Sequence, residues 1–260
     1  MNELFAVFQG HIGFFLLMLV RMSGVFITAP FFGSRNVSGR IRMSLAFMCA
    51  LLLFPIIFRP ELAIPDTLFP FAFMLIKELL VGLVIGFTAY LFFTAVQMAG
   101  QLLDMQIGFG IVSVFDPQSG QQVPLLGNFK YILAMLVFLT TNSHHFLFSG
   151  LINSYQLIPV GEVDFSPQSA EVFVDMVGGL FVIAMKIAIP VLSALLLSDI
   201  ALGILARTMP QMNIFVVGIP VKIFVGLFVL TLVIPFYILF LEVAFNGMYQ
   251  EMYRILLLLR

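Results

Sequence analysis

"LFPFAFMLIKELLVGLVIGFTAYLFFTAVQMAG" occupies residues 68–100, and Lys77 and Glu78 are its only charged side chains. A helix crossing about 30 Å of hydrocarbon needs roughly 20 apolar residues, and this run exceeds that. A membrane β-strand would alternate apolar and polar positions over a shorter segment. Without water, a helix closes its own N–H and C=O groups within one segment. The run reads as a membrane helix, long enough to be tilted or broken.

Five further apolar runs lie outward from it, at about 11–33, 43–58, 128–150, 176–206 and 212–245. The second is short for a crossing, and the last two are long like the first. The chain is 62% hydrophobic and 10% charged, with a mean hydropathy of +1.13. Soluble domains are about half apolar and a quarter charged. The fold class is therefore all-α, a polytopic helical membrane protein. No hydrophilic stretch is long enough to fold separately, so residues 1–260 read as one integral-membrane domain. A net charge of −1 supplies no basic patch for phosphates, which excludes nucleic acid as a partner. Cys49 is the only cysteine, so no intrachain disulfide forms, and a buried structural thiol is expected. The start, "MNELFAVFQGHIGFFLLMLVRMSG", has Glu3 and no base before its apolar run. It lacks the basic region of a signal peptide and is expected to be retained.

"SRNVSGRIR" (34–42) carries Arg35, Arg40 and Arg42 and no acid, which places it on the cytoplasmic side. Alternation then puts 59–67 and 151–175 outside, Arg207 inside and both termini outside. The 151–175 stretch holds Glu162, Asp164, Glu171 and Asp175 without a base, in agreement. Pro30, Pro55, Pro70, Pro190, Pro220 and Pro235 interrupt the runs, and each predicts a bend or break. Broken helices at membrane depth need covering protein or a water cavity. The chain is expected to pack against more protein than it supplies itself.

Arg21, Lys77, Glu78, Lys186, Asp199, Lys222 and Glu242 fall within or beside apolar runs, where a lone charge is costly. One reading is a proton relay. The other, favoured because acids and bases scatter over different segments, is inter-helix or inter-subunit pairing, or snorkelling. Lys77 and Glu78 point about 100° apart on a helix and do not pair with each other. Glu78, Gly82 and Gly86 share a face, and the small residues there suit close packing of another helix. Gln97, Gln101, Asp104 and Gly108 form a polar stripe that faces protein or a pore rather than lipid. Adjacent His144 and His145 cannot comfortably share one ion, and no metal or cofactor is expected. No nucleophile–base pair, P-loop or dinucleotide fingerprint is present, so nothing suggests an enzyme.

The polar stripe runs into "QIGFGIVSVFDPQSGQQVP" (106–124), too flexible for a span and too greasy for a solvated loop. Gly108 and Gly110 free the backbone. Phe109, Ile111, Val114 and Phe115 supply apolar bulk. Asp116 and Pro117 open a turn in "DPQSG". From the residues alone this is a re-entrant connection or a movable seal.

Four stretches in order carry a resemblance across nearly the whole chain. They are "RMSGVFITAPFFGSRNVSGRIRMSLAF", "AGQLLDMQIGFGIVSVFDPQSGQQVP", "LTTNSHHFLFSGLINSYQLIPVG" and "ARTMPQMNIFVVGIPVKI". Together they resemble the FliR family of flagellar export-gate proteins, whose virulence secretion counterparts (SctT) are more distant. Relatives often have Gly before the histidine, where this chain has Ser143.

The resemblance implies a subunit of a helical, funnel-like complex with FliP and FliQ homologues, associated with FlhB and FlhA homologues. It implies strongly tilted, kinked helices in the bacterial inner membrane at the flagellar basal body, with the assembled core raised toward the periplasm. It further implies passage of unfolded flagellar proteins, and a loop matching Gly108–Gly120 that plugs the closed channel, so that residues 106–122 help seal it. Arg21, Lys77, Glu78, Lys186, Asp199 and Lys222 would then serve subunit contacts. The alternative from another class is a stand-alone proton-coupled secondary transporter. It requires an internal inverted repeat, which is not discernible. The equivalent subunit of a virulence secretion system is the other alternative.

Overall fold

The computed structural model describes residues 2–33, 37–59, 64–65, 67–109, 124–163, 167–211 and 213–259, with the side chains of 2–10, 214 and 215 left aside. Its helices are α1 (Asn2–Thr28), α2 (Gly39–Ile57), α3 (Leu68–Ile107), α4 (Leu125–Thr140), α5 (His144–Leu157), α6 (Pro167–Thr208) and α7 (Ile214–Leu258). No strand occurs among the described residues. The stretches α1 (His11–Thr28), α2, α3, α6 and α7 (Val216–Leu258) are long and apolar enough to cross a membrane, and α4 with α5 adds a sixth crossing if taken as one bent span. The chain is an all-α, multi-pass membrane protein.

The single apolar run at 128–150 is two helices. α4 ends at Thr140 and α5 starts at His144, and between them Asn142 takes a φ of 56°. Asparagine tolerates this left-handed region better than most residues, so the "TTNSHH" break is local chemistry that an apolarity profile smooths over. The prolines, each expected to bend or break its run, do not interrupt the helices that contain them: α2, α6 and α7 continue through Pro55, Pro190, Pro220 and Pro235. One missing N–H removes one bond, and neighbouring turns and helices can re-satisfy the freed groups. Pro70 sits in the first turn of α3, where its N–H would have lacked a helical partner anyway. Pro30 lies just beyond the end of α1.

Helices α3, α6 and α7 contain 40, 42 and 45 residues. At 1.5 Å per residue each is about 60–68 Å long, roughly twice the hydrocarbon thickness. Two thirds of the membrane-length stretch of α3 is buried within the chain (67%), against 11% for α2 and 17% for α7. The chain itself thus covers most of that α3 stretch and leaves most of those of α2 and α7 uncovered.

The chain divides into two compact units. Unit 1 holds residues 1–91, 142–176 and 246–260, and unit 2 holds 92–141 and 177–245. In unit 1, α1 and α2 interlock through rings: Phe14 meets Phe58 at 5.3 Å and Phe15 meets Phe47 at 5.5 Å, both edge-on. Such offsets suit the ring quadrupoles. In the same unit α1 and α3 touch backbone to backbone. A Cβ at Gly24 would stand 2.8 Å from Leu79 O, and one at Gly82 would fall on Arg21 O. A Cβ at Gly86 would meet Val25 O at 2.8 Å, so Gly82 and Gly86 both lie under α1. Unit 2 is built around Phe93, Phe138 and Phe245, whose centroids are 5.1–6.0 Å apart. Cys49 is half-buried rather than buried.

Candidate functional site

The close α1–α3 approach in unit 1 brings Arg21 against Glu78, and both side chains are 0% exposed. Arg21 Nε donates to Glu78 Oε2 at 2.5 Å. Its Nη1 donates to the Ile158 carbonyl at 3.0 Å and to Ser154 Oγ at 3.3 Å. The guanidinium carbon lies 4.4 Å from the centroid of the Tyr155 ring, and the Tyr155 hydroxyl donates to Met18 O at 3.2 Å. Glu78 Oε1 accepts from the Gly161 amide at 2.8 Å. Gly161 has a φ of 87°, which explains a glycine at that turn. The "YQLIPVG" stretch thus supplies a ring, a carbonyl and an amide to one ion pair. Buried, paired charges lock elements together, and the lock here joins α1, α3 and the turn after α5, with Arg21 Nη2 left without a hydrogen bond.

In unit 2 the ends of α3 and α4 are tied by Asp104, which is 6% exposed. Its carboxylate accepts from the amides of Leu126 at 3.0 and 3.1 Å and of Gly127 at 3.1 Å. These are first-turn N–H groups of α4, which have no partner within their own helix and favour a negative charge. The approach is close because Gly100 faces Gly127: a Cβ at Gly100 would lie 2.5 Å from Gly127 N. Ile107, 0% exposed, ends α3 beneath Gly226, where a Cβ would stand 2.6 Å from Ile107 Cδ1. Gly108 then turns with φ 101°, and the amides of Gly108 and Phe109 return to Asp104 O at 3.2 and 3.0 Å. Gly108 is thereby a helix-ending glycine. Gly110, Ile111, Val114, Phe115, Asp116 and Pro117 lie outside the described residues.

The remaining charges separate. Lys222 pairs with Asp199 Oδ1, and Gln106 Nε2 donates to Asp199 Oδ2 at 2.8 Å. Lys77 Nζ donates to Val163 O at 3.0 Å. Lys186 is exposed on α6, and Glu242 is exposed on α7. Along the polar stripe Asp104 is buried, Gln97 half-buried and Gln101 exposed; the Asp104 carboxylate caps α4, and Gln97 O lies under Gly127. The His144 and His145 rings meet edge-on at 4.4 Å.

The apolarity profile passed over Lys130, which is 3% exposed, and Tyr155. A lone lysine in "GNFKYILAMLVF" was the available signal for the first. Tyr155 carried none, because its importance comes from the guanidinium stacked on it.

Residues 12–248 match the family described as "Bacterial export proteins, family 1". The chain is 42% identical to the flagellar biosynthetic protein FliR of Bacillus subtilis (strain 168) over 234 residues, 88% of each chain. It is 32% identical to FliR of Pectobacterium carotovorum subsp. carotovorum, covering 91% of this chain and 90% of that one. FliR of Escherichia coli (strain K12) is 30% identical, with 89% and 88% covered. Similarity of this extent spans both units and the two stretches that build the Arg21–Glu78 and Asp104 contacts, so the chain belongs to the bacterial export proteins of family 1, the family of FliR.

Proposed function

We propose that the chain is a structural and gating subunit of the flagellar type III protein export apparatus, with no catalytic role. In this reading residues 1–260 act as one export-gate domain, in the bacterial inner membrane at the flagellar basal body. The domain assembles with FliP and FliQ homologues into the channel core, beside FlhB and FlhA homologues. Unfolded flagellar proteins pass through that core, and residues 106–122 help to seal it, with Phe109, Ile111, Val114 and Phe115 as the apolar stopper.

The observation that carries the seal is the fixed stem. Asp104 holds the start of α4 against the end of α3, the two helix ends that flank the proposed seal. A seal has to be held at its base if its tip is to move without loosening the helices. Helices of roughly twice the hydrocarbon thickness support the assembly reading, because a lone bundle of that length would expose apolar surface beyond the bilayer. Exposed Phe224, Phe228, Phe236 and Val243 on α7 are the kind of surface other subunits would cover.

Deleting residues 109–115 tests the seal. Assembly should survive while membranes containing the complex leak ions. Unchanged conductance with normal assembly rejects the seal. Purification of the chain alone as an active small-solute carrier would reject the whole reading.

A further inference from the structure

We propose that the seam of α6 centred on Lys186 is a docking face for an apolar helix of another membrane subunit, which brings a carboxylate to the Lys186 ammonium. The proposal rests on the reading that the chain works inside a membrane complex, and it adds the chemistry of one contact.

At about 100° per residue, Gly178, Val182, Lys186, Ile189 and Ser193 fall within one arc of about 80° on α6. All five are exposed, Val182 at 53% and Ile189 at 48%. A Cβ at Gly178 would meet nothing within 4 Å. On the opposite side Ala184, Ile187, Ala188 and Val191 are buried. α6 therefore packs on its own chain with one face and leaves the Lys186 seam uncovered. Small residues such as Gly178 and Ser193 let the backbone of a second helix come close.

Charge decides what the second helix carries. The ion pairs among the described residues join Arg21, Lys222 and Arg254 to acids, and none includes Lys186. Between Asp175 and Asp199, residues 176–198 bear no other charge. At 1.5 Å per residue that stretch is about 35 Å long, close to one hydrocarbon thickness, with Lys186 near its middle. An unpaired ammonium at that depth is costly, and snorkelling relieves only lysines near helix ends. Lipid phosphates lie beyond the ends of the stretch, whereas a carboxylate on a neighbouring helix reaches its middle. Pro190, one turn further on and also exposed, has no N–H to offer the Lys186 carbonyl. Among the exposed side chains of Val182, Met185 and Ile189, Lys186 thus presents a cation together with a backbone acceptor. A carboxylate with a hydroxyl or amide donor beside it complements both.

The test uses the tagged full-length chain in its native membrane complex, with a photo-crosslinking amino acid in place of Val182, one turn before Lys186. Illumination should join the chain to a second membrane protein, within an apolar segment bearing Asp or Glu. Lys186→Glu should lower recovery of that protein with the tagged chain roughly tenfold or more, and exchanging the partner's acid for Lys should restore it. Cross-links to lipid, to an exported protein, to the same chain, or to a segment without a carboxylate would overturn the docking face. So would wild-type recovery from Lys186→Glu, or a charge exchange that restores nothing. If Lys186→Glu fails to accumulate, the cross-link in the chain that keeps Lys186 decides alone. A wild-type chain that purifies with no other membrane protein overturns the assembly reading and the docking face together, while an intact complex lacking the cross-link overturns the docking face only.

Discussion

Arg21 Nε lies 2.5 Å from Glu78 Oε2, 57 residues away in sequence, with neither side chain exposed. Removing one partner leaves the other as an unpaired buried charge, which costs about 3–5 kcal/mol. Arg21→Met and Glu78→Leu should each lower the thermal midpoint of the purified chain and its amount in the membrane. The double variant, with no charge left to strand, should recover part of the loss. A double variant as unstable as the sum of the two singles would contradict the coupling.

Gly82 and Gly178 form a matched pair of tests. A Cβ at Gly82 would fall on the Arg21 carbonyl, whereas one at Gly178 meets nothing within 4 Å. Gly82→Ala should push α1 from α3 at an overpacking cost of about 1–3 kcal/mol. Gly178→Ala should be neutral or raise stability by up to about 1 kcal/mol, through helix propensity. Thermal unfolding of both variants in one detergent checks the contrast.

Asp104→Ala removes the acceptor for the first-turn amides of α4, a loss of about 0.5–2 kcal/mol by analogy with helix caps. Asp104→Asn keeps one oxygen acceptor and should lose less. Because Asp104 also anchors the stem, the alanine variant should raise ion conductance of membranes holding the complex. Reduced stability with unaltered conductance would separate the cap from the seal.

Gly108 takes a φ of 101°, outside the range that L side chains adopt readily. Gly108→Val should cost at least about 1–2 kcal/mol, judged by the left-handed penalty for residues with a Cβ. It should also shift where α3 ends. Hydrogen exchange at residues 104–109 would detect that shift as faster exchange.

Helix class and multi-pass character were legible in the sequence because hydropathy is a sum over neighbouring residues. The long run at 68–100 already exceeded a bilayer's thickness, and α3 extends it only to Ile107. The same averaging hid the break after Thr140, and a proline's lost hydrogen bond need not break a helix that is packed on its neighbours. In the candidate site, the polar stripe pointed at Asp104 but left open what it faced. The answer is a pair of amides 22 and 23 residues further on.

What the sequence determined by itself was therefore an all-α, multi-pass membrane chain of this export family, its apolar segments, and the charges that needed company. Tertiary structure alone decided the company. Arg21 meets Glu78 and the Ile158 carbonyl, 137 residues distant, because glycines on α1 and α3 let two backbones touch. Lys130 faces a tyrosine and no acid among the described residues for the same kind of reason. Apolarity is a property of a segment, whereas the partner of a buried charge is set by which helices approach closely enough to exclude water.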